Sequence, residues 1–486
     1  MVENSMHTQV NRINLNQVVF TIFIFGLAIL EIYSDVKTGL IYTAFAFIFI
    51  LFFGLRLCQN LSIELNDNKL NILKTFWLIK LGMIFVLLHL GWIPELEAIN
   101  LETWGYDPQR YYIDAYDLIL NGWNPTQSTN YQGIIFYYGF IFFIFGHNPV
   151  IPALVNSFVS LIGGLYLIRI CYQIKKCRTH SDWSIAFVLL VPEIIWYDVM
   201  TSRETLLAAL ILISSLSMGR YLINLPNSGF IFRTMSTTLV CLFFILAIRS
   251  TMVIPVLSSF LVAVMLIRRK RSNNWSIKLI AISVLVITLL SGPFIQSMLG
   301  GYNFNFATAL STAQNIEGNV ASEMEWTDNS VGLLLSPHSS IQSLLFLPPR
   351  MVLYLVSPLP NIAFSLDELA RGSWSAWQNL MTIPSSILYI ILFPFVLAGS
   401  INSYRIRIVH PGQLLLVSIF WITFIAIAGG NIIIHERYRV MFSPLFIACA
   451  WLGYIECKKL QIQIISVGWF GLLAFFSIMY VAYKMF

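Results

Sequence analysis

Charged residues are scarce in this chain of 486 residues: they make up 11% of it, whereas hydrophobic residues make up 57%. An ordinary soluble domain carries about a quarter charged residues. Apolar runs of about 17 to 25 residues, the length that crosses a hydrocarbon layer about 30 Å thick, recur along the chain. They extend from residue 17 to residue 482, so no soluble domain fits between them.

Cysteine is equally scarce, and the six cysteines fall in apolar runs or beside basic loops. This placement gives no support for an external disulfide framework or for a Cys/His metal site. The chain start lacks a basic segment followed by a short apolar segment and a cleavage site, so we expect the first apolar run to be a retained helix. We find no repeat of fixed period and no low-complexity segment.

The formal net charge of +6 comes from short basic loops, at 169–178, 268–271, 404–410 and 458–459. By the positive-inside rule these loops mark the cytoplasmic face. The excess positive charge therefore indicates orientation in a membrane, and we expect no nucleic-acid partner.

The hydropathy pattern predicts an all-α polytopic membrane protein with about thirteen transmembrane helices. The predicted spans are 17–33, 38–56, 73–93, 148–170, 183–200, 205–219, 234–248, 251–267, 277–296, 380–399, 413–429, 439–456 and 462–482. The apolar block 133–146 is shorter, and counting it as a span would put basic loop 169–178 outside. We therefore expect it to be an interfacial or re-entrant helix on the outward face.

This topology divides the chain into four parts. Residues 1–93 form an N-terminal three-helix segment, and residues 94–296 form a membrane core whose first outward loop is 94–147. Residues 297–379 form a large outward loop, and residues 380–486 form the C-terminal membrane helices.

The large outward loop contains an apolar stretch, 340–361, that is interrupted by four prolines: Pro348, Pro349, Pro358 and Pro360. Each proline removes a backbone donor that lipid cannot replace. The stretch therefore predicts helices at or dipping into the interface, with a hairpin of two short crossings as the alternative.

The first outward loop contains a charged stretch, "WGYDPQRYYIDAYDLILNGWNP", between two apolar blocks. In a helix that begins at residue 107, its polar residues share one face: Asp107, Arg110, Asp114, Asp117 and Asn121. We interpret this stretch as an amphipathic helix lying on the membrane. A solvated face with Asp–Arg ion pairs is the alternative.

Further ionisable residues fall at the outward ends of apolar runs. Residues held at membrane depth are costly and are functional candidates, although each one alone can be explained by snorkelling or a local ion pair. Guanidinium groups suit phosphate, and a carboxylate beside a phosphate-binding group suits glycosyl transfer from a lipid-phosphate sugar. The candidate substrate-binding residues are Arg110, Tyr111, Arg203, Glu204, Arg249, Arg350, His435, Glu436, Arg437 and Arg439.

Two stretches resemble the first outward loop and following helix of GT-C membrane glycosyltransferases: "YDPQRYYIDAYDLILNGWNP" and "YQGIIFYYGFIFFIFGHNPVIPALVNSF". The similar branch contains protein O-mannosyltransferases and the aminoarabinose transferases of lipid A. "SRETLLAALILISSL" resembles the family's next hairpin, and "HERYRVMFSPLFIACAWLG" resembles its late helix. The resemblance covers about residues 100 to 270 and 430 to 455, and not the first two spans.

The resemblance implies sugar transfer from a polyprenyl-phosphate donor to a glycan, lipid or protein acceptor of the cell envelope. The reaction would take place on the non-cytoplasmic side of a bacterial inner membrane, among membrane lipids. The family's loop acid would act as the base, and here it is Asp107 or Asp114, because proline follows Asp107 where the family commonly has Asp-Glu. This departure leaves the use of a divalent cation open, and no other cofactor is implied.

Two other functions fit parts of the pattern. A polymerase of O-antigen or exopolysaccharide, using undecaprenyl-pyrophosphate-linked repeat units, also has many spans, a large outward loop and arginines. A transporter or flippase would carry ionisable residues buried in mid-span and paired halves. The sequence favours it less, because the charged residues gather at one boundary.

Overall fold

The structure is a computed structural model. It describes residues 40–65, 70–89, 107–125, 132–175, 182–223, 228–249, 252–266, 340–357, 374–406, 411–430 and 436–485. Within these ranges every regular element is a helix, and no strand occurs. The prediction of an all-helical fold is confirmed for the part of the chain that is described.

The described part contains fourteen α-helices and two 3-10 helices. Helices α1 to α7 are Leu40–Leu65, Leu70–His89, Asp107–Leu120, Gln132–Phe145, Val150–Lys175, Pro192–Val199 and Glu204–Ile223. Helices α8 to α14 are Ser228–Ile248, Val253–Leu266, Ser340–Val356, Trp374–Arg405, Pro411–Gly430, Arg439–Glu456 and Lys459–Met485. The 3-10 helices are Asp182–Leu190 and Glu436–Tyr438.

Several of these helices are long and apolar enough to cross a membrane. Among the described residues there are five, with membrane-length segments Thr43–Asn60, Val150–Tyr172, Trp377–Arg405, Gly412–Gly429 and Lys459–Ile478. Helices α6 and α7 together supply a sixth if they form one broken span. The chain is therefore a helical membrane protein. The predicted spans 17–33 and 277–296 lie outside the described residues.

Helix α4 corresponds to the short apolar block of the first outward loop. Its 14 residues extend over about 21 Å, less than the thickness of a hydrocarbon core. Ile134, Tyr138 and Phe142 are buried against the rest of the protein, whereas Phe140 and Phe143 are more than half exposed. The predicted short helix is confirmed, and its position at an interface stays a prediction.

Helix α10 forms part of the apolar stretch 340–361 in the predicted outward loop. Pro348 and Pro349 lie inside this helix of 17 residues and do not break it. The two prolines remove two backbone N–H donors from this helix. The helix packs against α11 and α12, and these tertiary contacts stabilise the turn that lacks the two hydrogen bonds. Pro358 and Pro360 lie outside the described residues.

Helix α13 lies at the centre of the protein, with every residue from Arg439 to Gly453 buried. It crosses α11 at very close range, because a Cβ atom added to Gly453 would lie 1.9 Å from the carbonyl oxygen of Phe395. Only glycine allows this approach of two backbones. The C-terminal part of α13 is thereby fixed against α11.

The predicted span 183–200 is divided into two elements. A 3-10 helix ends at Leu190, and Pro192 begins α6. Proline has no backbone N–H, which costs nothing here because an N–H in the first turn of a helix has no partner within the helix. The chain then bends by 116° between α6 and α7. We call residues 200–203 the α6–α7 break.

Candidate functional site

Helix α3 begins at Asp107, the residue that the sequence analysis singled out. Pro108 suits the first helical turn, and an acidic side chain interacts favourably with the positive end of the helix dipole. Tyr111 and Tyr112 are almost fully buried on the inner face of α3. The amphipathic helix is confirmed, and its packing holds the Asp107 end against the protein.

Asp107 forms an ion pair with Arg437, which precedes α13. The Nη1 atom of Arg437 lies 2.5 Å from Oδ2 of Asp107, although 330 positions separate the two residues. The Asp107 side chain is 40% exposed and that of Arg437 is 23% exposed. The ion pair is therefore accessible to solvent, and the arginine is the more buried of the two side chains.

Tyr438 contacts two guanidinium groups. The centre of its ring is 4.6 Å from Cζ of Arg249 and 4.9 Å from Cζ of Arg437. The Nη2 atom of Arg437 also donates a hydrogen bond of 2.9 Å to the Tyr438 hydroxyl. This tyrosine couples the end of α8 to the start of α13.

Arg203, in the α6–α7 break, contributes a third guanidinium group. Its Cζ lies 5.7 Å from the ring centre of Tyr111, and its Nε lies 3.7 Å from Oε1 of Glu204. The other oxygen of Glu204 accepts a hydrogen bond of 3.1 Å from the backbone N–H of Arg203. The side chains of Arg203 and Glu204 are 14% and 4% exposed, so the turn is mostly desolvated.

These contacts join residues from α3, the α6–α7 break, the start of α7, the end of α8 and the segment before α13. We call the group the arginine cluster: Asp107, Tyr111, Arg203, Glu204, Arg249, Arg437 and Tyr438. Its three guanidinium groups outnumber its two carboxylates, so the cluster carries an excess positive charge. Such an arrangement suits an anionic group with several oxygen atoms, such as a phosphate.

The charges of the cluster act on both of its tyrosines. Burial raises the pKa of Tyr111 above its ordinary value, with Asp107 adding to the rise and Arg203 opposing it. Burial would also raise the pKa of Tyr438, but Arg437 and Arg249 outweigh burial, and that pKa is lowered. The pKa values of the two tyrosines are therefore shifted in opposite directions.

No family model, no curated protein and no solved structure matches this chain. The resemblance to GT-C glycosyltransferases thus rests on the residues quoted above.

The structure places the other candidate residues differently. Asp114 pairs with Arg110 one turn away on α3, with Oδ2 3.9 Å from Nε of the arginine. Arg350 is buried in α10, and its Nε donates a hydrogen bond of 2.8 Å to the carbonyl oxygen of Ala428. His435 lies outside the described residues, and Glu436 begins the 3-10 helix before α13.

Arg439 is only two residues from Arg437 and has a different environment. Its Nη2 lies 2.8 Å from Oε2 of Glu193, and both side chains are fully buried. Its Nη1 donates to the carbonyl oxygen of Ser357 at 2.6 Å and to the hydroxyl of Ser386 at 2.9 Å. These contacts give Arg439 a structural role in joining α6, α10, α11 and α13.

Sequence reasoning missed two features near the cluster. Tyr438 lies inside the quoted "HERYR" segment, where Arg437 precedes it and Arg439 follows it. An aromatic residue flanked by two arginines in the sequence was the signal that could have identified it. Lys80 stands alone in the apolar segment "WLIKLGMIF", and an isolated lysine at mid-helix is a signal that hydropathy provides. Lys80 is fully buried and forms an ion pair with Asp198, at the end of α6.

The described residues contain no group of three His, Cys, Asp or Glu side chains that could hold a metal ion. The described part of the cluster supplies two acidic side chains and three cations. This set of charges suits an anion bound beside a carboxylate.

Proposed function

We propose that this protein is a GT-C-type glycosyltransferase of a bacterial inner membrane, with about thirteen spans and a site on the non-cytoplasmic side. Its donor is a sugar on a polyprenyl phosphate, and its acceptor is a glycan, lipid or protein of the cell envelope. The observation that supports this function best is the ion pair between Asp107 and Arg437 within a cluster of three arginines.

The cluster supplies the two groups that such a transfer requires. Asp107 takes the proton of the acceptor hydroxyl as the acceptor oxygen bonds to the anomeric carbon of the sugar. The bond between that carbon and the phosphate oxygen breaks, and the polyprenyl phosphate leaves with the bonding electrons. The guanidinium groups of Arg203, Arg249 and Arg437 stabilise the negative charge on the leaving phosphate.

Asp107 fits the role of base better than Asp114 does. Asp107 is 40% exposed beside the arginines, whereas Asp114 is 15% exposed and pairs with Arg110 on its own helix. A donor phosphate that binds Arg437 competes with Asp107 for Nη1. Donor binding would therefore free the carboxylate when it is needed.

A reconstituted assay tests this function. The full chain in lipid vesicles, supplied with a polyprenyl-phosphate sugar and membrane extract as acceptor, should transfer the sugar. Asp107→Asn should abolish transfer and leave insertion and folding intact. Asp117→Asn is the matched control, because Asp117 lies on the same helix and should retain transfer. Undiminished transfer by Asp107→Asn would remove Asp107 from the role of base.

The same assay distinguishes the polymerase alternative. A polymerase would require undecaprenyl-pyrophosphate-linked repeat units and would not use a single sugar on a polyprenyl phosphate. Product formation only with the pyrophosphate-linked donor would replace the proposed function with polymerisation.

Transport or lipid flipping is a second candidate function, and one observation favours it. Lys80 and Asp198 form a fully buried ion pair beside a helix break, and transporters bind ions at such breaks. Movement of a labelled polyprenyl-phosphate sugar across vesicles without any transfer to an acceptor would support this function. Transfer without net movement would exclude it.

A further inference from the structure

The α6–α7 break carries Arg203 into the arginine cluster, although its backbone is irregular and buried. Met200, Thr201 and Ser202 are each no more than 2% exposed. Backbone N–H and C=O groups buried without partners are costly, so neighbouring side chains must supply hydrogen bonds.

Two side chains bind the carbonyl groups of this break. Nδ2 of Asn156, on α5, donates a hydrogen bond of 2.6 Å to the carbonyl oxygen of Met200. The hydroxyl of Tyr138, on α4, donates a hydrogen bond of 2.6 Å to the carbonyl oxygen of Ser202. The backbone on the N-terminal side of Arg203 is thus fixed by two other helices.

Asp198 fixes the two ends of the break to each other. Its Oδ1 accepts a hydrogen bond of 2.5 Å from the Thr205 hydroxyl, in the first turn of α7. Its Oδ2 accepts one of 2.5 Å from Ser160, on α5, and pairs with the Nζ of Lys80, on α2. The carboxylate therefore joins α2, α5, α6 and α7 at one point.

From these contacts we infer that Asp198 is a positioning residue for the donor-binding site. By holding Thr205 on one side and the end of α6 on the other, it sets the bend from which Arg203 and Glu204 enter the cluster. Lys80 balances the buried charge of Asp198, since one carboxylate without a partner would be costly in this environment. This inference rests on the proposed function of the arginine cluster.

Thr205→Val tests the inference with little change in shape. Valine keeps the branched side chain and removes the hydroxyl that binds Asp198. Thr238→Val is the matched control, because buried Thr238 donates to the carbonyl oxygen of Thr234 within α8. Both variants are compared in lipid nanodiscs at one temperature below their melting temperatures, so that each is folded when it is measured.

The readouts are amide hydrogen exchange of residues 198–205 and affinity for undecaprenyl phosphate. In Thr205→Val, we expect faster exchange in this segment. We expect an affinity up to about tenfold lower, because the bend that carries Arg203 loses one hydrogen bond to a charged group. Thr238→Val should match the unmodified protein in both readouts. If Thr205→Val also matches the unmodified protein in exchange and in affinity, the inference is wrong.

A second set of variants separates positioning from simple stabilisation. Lys80→Met leaves Asp198 without its cation, and we expect a lower melting temperature. The double variant Lys80→Met/Asp198→Leu replaces the pair with apolar side chains, which often restores stability. We expect it to regain the melting temperature and to keep the faster exchange and weaker affinity. Recovery of all three properties would overturn the inference.

Failure of the proposed function gives a different result. If the unmodified protein does not bind undecaprenyl phosphate, the donor assignment is wrong. The exchange data still decide whether Asp198 and Thr205 hold the α6–α7 break.

Discussion

At the scale of single residues, Tyr438 determines how two arginines of the cluster are held. Its ring contacts Arg249 and Arg437, and its hydroxyl accepts a hydrogen bond from Arg437. Aromatic rings hold guanidinium groups in position without neutralising their charge, which leaves both arginines able to bind an anion.

Substitution of Tyr438 separates the ring from the hydroxyl. Tyr438→Phe loses one hydrogen bond and keeps both ring contacts, whereas Tyr438→Leu loses all three. A hydrogen bond to a charged group contributes about 1.5–3 kcal/mol, and each cation–π contact about 0.5–2 kcal/mol. We expect binding of undecaprenyl phosphate to weaken about tenfold in the first variant and further in the second. Equal binding by Tyr438→Leu and the unmodified protein, measured by titration, would contradict this role.

At the scale of helices, the close contact between α11 and α13 fixes the C-terminal part of the central helix. A Cβ atom at position 453 would lie 1.9 Å from the carbonyl oxygen of Phe395. Gly453→Ala must therefore separate the two helices, and overpacking of this kind costs about 1–3 kcal/mol.

Gly468→Ala provides the control for that substitution. Gly468 lies on α14, where nothing is within 4 Å of an added Cβ. Alanine favours helix over glycine by about 1 kcal/mol. We expect a lower melting temperature for Gly453→Ala and an unchanged or higher one for Gly468→Ala. Similar melting temperatures would show that the close approach of α11 and α13 does not limit stability.

We expect the packing of α3 to depend on pH through His147, which lies in the connection between α4 and α5. Its ring stacks on Tyr116, with centroids 3.7 Å apart, and burial lowers its pKa from 6.5 to about 4 although part of the ring is exposed. The unfolded chain binds a proton below pH 6.5 that the folded protein takes up only near pH 4. Stability should therefore fall as the pH decreases from 6.5 to about 4.

His147→Phe keeps an aromatic ring against Tyr116 and removes the titrating group. The melting temperature of the unmodified protein should fall more between pH 6.5 and 4 than that of the variant. Parallel curves for the two proteins would exclude His147 as a source of the pH dependence.

At the scale of the whole molecule, a second buried ion pair joins parts of the chain that are far apart. Glu193, on α6, pairs with Arg439, on α13, and Arg439 also binds Ser357 and Ser386. The pair contributes to the junction of four helices.

Glu193→Gln should leave the charge of Arg439 without its counter-ion. Breaking a buried pair costs about 3–5 kcal/mol, whereas replacing both partners with apolar residues is often neutral. We expect a large fall in melting temperature for Glu193→Gln and a recovery in Glu193→Leu/Arg439→Met. A double variant less stable than the single one would indicate that the hydrogen bonds of Arg439 contribute more than the pair.

The sequence alone determined the class of the protein and the approximate places of several of the described helices. Low charge and recurring apolar runs of this length indicate a helical membrane protein, because a helix pairs the backbone groups of each run internally where lipid offers no partner. The start of α3 at Asp107 and the short helix α4 were also predictable, since periodicity, proline and block length are local properties.

Only the tertiary structure decided which charged side chains meet. Arg437 and Arg439 are nearly adjacent in sequence, but one contacts Asp107 at an accessible edge and the other contacts Glu193 in the core. Likewise, nothing local to Lys80 indicates Asp198 as its partner. The partner of a buried charge depends on how distant helices pack, and hydropathy carries no information about that contact.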